Sequence, residues 1–430
     1  MPSATPTPSK RTRWVRRSLL ALACVVGGAV VWDVTTYDAE AWLADYQRLK
    51  HDMAHGYANL DWIRDHRGVD LAALDRRTTA ALTNAHSRVR AFLALKDFVE
   101  HFRDPHVRLE PQQTHTTRDE TGDASVASAA EAAPAVASCE AAGYEEGEHA
   151  FGFAFERLPG WRPLRGGDFP IGRAGDVGVL RIAQFGEQRY LAACQRVFKP
   201  GLDARALQLA VRAEQQRVLI DSLHALQRSG ARRLLVDLTG NGGGSEWVSE
   251  VIALMTERTL VRAASRHVEP RCDRAAIWRN ETRCSIFAPA DADETLQGSG
   301  PWRGPLMILA DGRTASASED FVAWLQQNGV ATVIGERTLG AGCGYVDGGT
   351  RTALTVLPLD VAMPNCTRFL ENGANEIEGI APDIALNLQA DDAASRLHTV
   401  LATHHRNAVA ALAQINPPRL PAPATGAPPR

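Results

Sequence analysis

Lysine is scarce in this chain. Only Lys10, Lys50, Lys96 and Lys199 occur among 430 residues, and none follows position 199. A mechanism that needs a lysine in the C-terminal half is therefore excluded. Basic surplus is missing too. The 47 Lys and Arg face 50 Asp and Glu, a net charge of −3, whereas nucleic-acid binders normally carry a positive excess. No C-x-x-C pair is present, which removes the usual signature of a cysteine zinc site. The glycine run at 242–244 is not followed by Gly-Lys-Ser/Thr and lacks G-x-G-x-x-G spacing, so it is neither a phosphate loop nor a dinucleotide fingerprint. No cofactor and no metal are expected. The apolar run Leu19–Trp32, 14 residues long, is short for a membrane span.

That run follows a basic cluster, Lys10, Arg11, Arg13, Arg16 and Arg17. The order fits residues 1–38 as a signal peptide or signal anchor. Export to a periplasmic or other extracytoplasmic side is expected, with membrane attachment through this segment as one form of it. Cysteine usage agrees. Setting aside Cys24 leaves six: Cys139, Cys194, Cys272, Cys284, Cys343 and Cys366. In an oxidising compartment six would pair. Counting alone cannot choose among the 15 pairings possible for six cysteines. The close pairs Cys272/Cys284 and Cys343/Cys366 are the natural choices, leaving Cys139/Cys194.

Apolar residues make up 45% and charged residues 23%, an ordinary globular balance. Trp42, Tyr46, Leu49, Met53 and Tyr57 recur at helical steps, and a helical pattern continues over 70–102, ending before Pro105. Residues 39–110 thus read as an N-terminal helical region. Residues 111–176, aperiodic and rich in Ala, Ser, Thr and Glu at first, read as a flexible insertion and connector. From 177 to 390, strands at 177–185, 233–238, 305–310 and 330–335 alternate with helices at 203–228 and 316–327. That alternation predicts an α/β core with parallel strands, followed by a β-rich C-terminal part over 340–366. Residues 391–430 read as a C-terminal helix and a disordered Pro/Ala-rich tail.

Three places could carry chemistry. Consecutive amides at Gly242 and Gly243 can face one anion. Ser316 opens a helix, as a nucleophile or as half of a capping box with Glu319. His106 follows Asp104-Pro105 at a helix-to-strand break. Together the runs Leu235–Gly244 (LVDLTGNGGG), Pro305–Glu319 (PLMILADGRTASASE), Asn328–Gly340 (NGVATVIGERTLG) and Ile377–Asp383 (IEGIAPD) resemble the tail-specific, or C-terminal processing, and tricorn-type serine peptidases. The resemblance implies a crotonase-like core, a peptide or protein substrate, and no nucleic acid. It departs from the processing branch in one respect. Where that branch has Gly-Lys-Gly, this chain has Gly340-Ala341-Gly342, so a Ser–Lys dyad is ruled out. No PDZ module is read between 107 and 176.

The tricorn-like branch implies instead a triad of Ser316 as nucleophile, His106 as base and Glu378 as its orienting acid. Amides of Gly242 or Gly243 and of Ala317 would form the oxyanion hole, and Glu319 would only cap the helix. Ser318 is the competing nucleophile. A peptide- or apolar-ligand-binding protein of the same fold, or an esterase using the same residues, are the alternatives.

Overall fold

The computed structural model describes residues 10–112, 134–281 and 283–403. The chain divides into two compact units. One comprises Met1–Ser125, Ala264–Ala292 and Cys343–Phe369, and the other comprises Val126–Ala263, Asp293–Gly342 and Leu370–Arg430.

The first unit is helical with a small sheet. After the helix Lys10–Thr35 come Ala39–Gly56, Leu60–His66, Leu71–Thr83 and Arg88–Glu100. Trp42, Tyr46, Leu49 and Met53 are fully buried along one face, as their spacing requires. The helix expected over 70–102 is in fact two. Asn84 caps the first, His86 takes φ +55°, and the Ser87 side chain accepts the Arg90 N–H to start the second. A positive φ at a non-glycine residue cannot be propagated in a helix. Among the described residues no helix is long and apolar enough to cross a membrane, so the anchor expected at 1–38 gains no support from the helix Lys10–Thr35. Strands Arg108–Pro111, Leu359–Met363 and Thr350–Ala353 form an antiparallel sheet, the β-rich part expected near 340–366. Cys272–Cys284 and Cys343–Cys366 are disulfides of this unit.

The second unit holds a seven-stranded sheet. Its order is Ile384–Ala385, Ala331–Gly335, Leu306–Ala310, Arg233–Asp237, Val177–Arg181, Ile171–Ala174 and Trp161–Arg165. The first five are parallel, as the strand–helix–strand alternation predicts, and Ile171–Ala174 then pairs antiparallel with both Val177–Arg181 and Trp161–Arg165. The last two strands of the order come from the stretch read as connector. Trp161–Arg165 is exposed and Ile171–Ala174, though buried, is only four residues long, so neither gives a long apolar run to read.

Val177–Arg181, Arg233–Asp237 and Leu306–Ala310 are buried at every position, as a sheet covered on both faces demands. Leu234, Val236 and Ile308 pack into one core with Leu219 and Leu223 of the helix Ala204–Arg228 and Phe321 of the helix Ala317–Gln327. The alternate residues Leu235, Met307 and Leu309 pack into a second core with Leu397 and Leu401 of the helix at 393–403. Cys139–Cys194 is the disulfide of this unit, and Cys24 is free and exposed. The Pro/Ala-rich tail expected at the end of 391–430 lies outside the described residues.

Candidate functional site

The strand Arg233–Asp237 ends on a buried carboxylate. Asp237 accepts the Thr239 N–H at 3.0 Å and hydroxyl at 2.6 Å, and its other oxygen accepts the Gly152 N–H at 3.1 Å. Burial pushes its pKa up, against the pull of Arg181 3.5 Å away and of the Thr239 donors. The next turn is fastened by Asn241, whose Oδ1 accepts the Gly243 N–H at 2.9 Å while its Nδ2 donates to the Ile182 carbonyl at 3.0 Å. Gly243 has φ +101°, and a Cβ there would lie 2.8 Å from both Ser316 Cβ and the Ala317 nitrogen. No other residue fits against the serine turn so closely.

The neighbouring strand, Leu306–Ala310, leads into that turn. Asp311 Oδ1 accepts the Gly240 N–H at 2.8 Å and the Arg313 N–H at 3.1 Å, and the Ala315 N–H donates to the Asn241 carbonyl at 3.0 Å. The two strand ends are thus tied together. Ser316 then takes φ +55° and ψ −118°, a region costing a non-glycine residue about 1–3 kcal/mol. The strain swings the chain from strand to helix Ala317–Gln327 and leaves Ser316 half-buried, whereas Ser318 is fully buried. Ser318 is thereby withdrawn as competing nucleophile.

The proposed oxyanion donors divide. The Gly243 N–H is committed to Asn241, which corrects its assignment as a donor to substrate. The N–H groups of Gly242 and of Ala317, at the positive end of an eleven-residue helix, make no hydrogen bond among the described residues.

Glu319 does far more than cap. Its fully buried carboxylate accepts the Ser316 N–H at 2.9 Å, the Thr338 hydroxyl at 2.6 Å, and the N–H groups of Gly340, Ala341 and Gly342 at 2.8, 2.8 and 3.1 Å. One side chain therefore clamps the serine turn to the turn that carries Ala341 in place of lysine. Ala341 is itself buried. The local S-x-x-E spacing announced only the first of these bonds, because the other four depend on a turn some 20 residues later. Against this turn packs the segment Glu376–Glu378. A Cβ on Gly340 would lie 2.4 Å from the Ile377 carbonyl, and one on Gly342 3.6 Å from Glu376 Cβ. Glu378 has an exposed side chain, and Glu376 is buried at 1% exposure.

His106 belongs to the other unit. Asp104 Oδ1 accepts its N–H at 2.9 Å, and Oδ2 accepts the Tyr57 hydroxyl at 2.9 Å and Asn59 Nδ2 at 3.0 Å. Burial, with the Asp104 charge, raises the Tyr57 phenol well above its ordinary pKa, so it stays a donor. The Tyr345 hydroxyl donates to the His106 carbonyl, and the two rings meet edge to face at 5.1 Å. A Cβ on Gly344, at φ +76°, would lie 2.9–3.0 Å from His106 Cε1 and Nε2. The histidine is buried, and its backbone and ring are held by Asp104, already part of the Asp104-Pro105-His106 motif, and by Tyr345 and Gly344, which carry no sequence signal for this role.

A serine on a strained strand-to-helix turn, backed by a glycine run and open amide donors, is an arrangement chemically suited to nucleophilic attack on a carbonyl. Residues 176–386, a little under half of the chain, match Peptidase family S41. A carboxyl-terminal-processing protease of Picosynechococcus sp. is 33% identical over 124 residues, 29% of this chain and 25% of that protein. One from Synechocystis sp. is 28% identical over 148 residues, 34% of this chain and 30% of that protein. The matched stretch thus spans less than a third of these relatives' own length. Among solved structures, mature CPAF shares the fold, with a TM-score of 0.54 at 15% identity over 89% of this chain and 99% of that one.

Proposed function

We propose that the protein is a serine peptidase that cleaves peptide or protein substrates through an acyl-enzyme. Ser316 Oγ attacks the scissile carbonyl. His106 takes its proton and returns it to the leaving amine, and an acid from the segment Glu376–Glu378 orients the imidazolium. Glu378 is the residue the motif designates; the burial of Glu376 makes it the second candidate for that role. The Gly242 and Ala317 amides receive the oxyanion, a contribution of roughly 3–4 kcal/mol per donor in comparable sites. The observation that carries this reading is the Ser316 turn, strained and aimed past the glycine run with two uncommitted amides beside it. Lysine plays no part, since Ala341 stands where the processing branch has lysine and no lysine follows position 199. The three disulfides support work in an oxidising, extracytoplasmic compartment.

The test is hydrolysis of a diverse peptide library by wild type, Ser316→Ala, His106→Ala, Glu376→Gln and Glu378→Gln. The reading requires loss of activity by several powers of ten in the first two variants, with the double variant little worse than either alone. It requires a comparable loss in one of the two glutamine variants. A wild type inert to every peptide, with Ser316→Ala binding peptides equally well, would favour a peptide-binding role instead.

A further inference from the structure

Glu146, His149 and Asp168 take no part in the serine turn. Each can present one ligand atom so that all three lie within 4.8 Å of one another. His149 is 9% exposed, yet neither of its ring nitrogens makes a hydrogen bond among the described residues. Burying two such groups without partners costs stability that something must offset. Nε2 lies 3.5 Å from Glu146 Oε1. Around a tetrahedral ion with bonds of about 2.0–2.2 Å, neighbouring ligand atoms sit roughly 3.3–3.6 Å apart.

The geometry points to a divalent metal site of zinc type formed by Glu146, His149 and Asp168, with water completing the coordination. One imidazole and two carboxylates suit zinc, and the imidazole disfavours calcium and magnesium. The supports are already in place. His149 stacks on Tyr190 with ring centres 4.6 Å apart. Glu146 Oε2 accepts the Ala192 N–H at 3.3 Å, which turns Oε1 toward the histidine. Arg196 holds Asp168 through Oδ2, leaving Oδ1 for an ion. A Cβ on Gly147 would lie 2.8 Å from the Arg189 carbonyl and 3.1 Å from His149 Cε1, so glycine is needed for this approach. An open cavity of about 530 Å³, lined by His149, Phe151 and Pro170, gives an ion its way in.

The site's role is structural. It fastens the loop around 146–149 to Asp168, next to the strand Ile171–Ala174, where Tyr190 and Arg196 already pack against the ligands. From there Phe185 donates to the Gly243 carbonyl at 2.8 Å, and Gly152 donates to Asp237. Free energy of metal binding becomes stability of this part of the fold. The sequence reading looked for metal only among cysteines, and a Glu-x-x-His pair completed by a distant aspartate gave it no signal.

The experiment uses the full-length, disulfide-bonded protein stripped with chelator and titrated calorimetrically with Zn²⁺, then with Co²⁺ as a visible probe of coordination. Wild type is expected to bind one equivalent lost in both His149→Ala and the surface variant Glu146→Gln. The loss should exceed the roughly 10–100-fold that removing an outer-shell partner costs. Zn²⁺ should raise the wild-type Tm and leave that of His149→Ala unmoved. Equal stoichiometry and affinity in wild type and Glu146→Gln would overturn the site, as would a wild-type Tm indifferent to Zn²⁺. Neither readout depends on peptidase activity.

Discussion

Ser316 and Glu319 divide the work at the turn. The serine bears the strain, and the glutamate absorbs five donors. Ser316→Ala keeps the backbone path, so it should change stability by no more than about 1 kcal/mol while removing peptide hydrolysis; urea denaturation alongside a kinetic assay checks both. Glu319→Ala is the opposite case. It leaves the amides of Ser316, Gly340, Ala341 and Gly342 and the Thr338 hydroxyl buried without an acceptor. At roughly 1–3 kcal/mol for each unsatisfied group, a loss of at least about 3 kcal/mol is expected in the same denaturation experiment. A loss below 1 kcal/mol would show that water replaces the carboxylate. The place of Ser316 at a strand-to-helix turn was legible because strand, turn and helix signals converge on it, while its proposed role as nucleophile comes from the family resemblance. The clamp was not, because its partners at 338–342 are set by tertiary structure. The distinction between Glu376 and Glu378 was equally hidden, since burial of one and exposure of the other depends on how 340–342 packs.

At the scale of elements, the site depends on two adjacent strand ends held in register. Asp311 joins them through Gly240. Burial would raise its pKa, but the Gly240 N–H and the Arg313 guanidinium and N–H outweigh that and hold the carboxyl below its usual range. A carboxyl lowered on folding stabilises the fold fully above its unfolded pKa, about 3.9. That contribution is lost as pH falls through the lower, folded value. Asp311→Asn should therefore flatten part of the acid limb of a stability–pH curve measured between pH 2 and 5. An unchanged limb would deny Asp311 this role.

Close approach matters at the same scale. Gly243→Ala should cost both stability and activity, because its φ of +101° and contact with Ser316 leave no room for a methyl. The parallel strands were readable from their continuous apolar runs. The break at Asn84–Ser87 is masked by apolar residues that keep helical spacing across it, and the edge strand Trp161–Arg165 by its exposed, arginine-containing face.

For the whole molecule, three disulfides close separations of 55, 12 and 23 residues. Closing loops of this size stabilises a fold by roughly 3–4 kcal/mol each on the chain-entropy account. Reduction should lower Tm by many degrees, and mass spectrometry of non-reduced digests should return Cys139–Cys194, Cys272–Cys284 and Cys343–Cys366. Six free thiols in protein from its native compartment would contradict the proposed export. Pairing by proximity in sequence was enough for the two short links, and the third followed from what remained. The division into two units was less legible, since each is assembled from three separated stretches of chain.

The central claim is that Ser316 is the nucleophile and His106 its base. Its most direct measurement is labelling of the oxidised protein with a fluorophosphonate, followed by peptide mapping of the adduct. The account predicts one adduct on Ser316, none in Ser316→Ala, and labelling slowed by several powers of ten in His106→Ala. No adduct on wild type, an adduct on Ser318, or undiminished labelling of Ser316→Ala would contradict it.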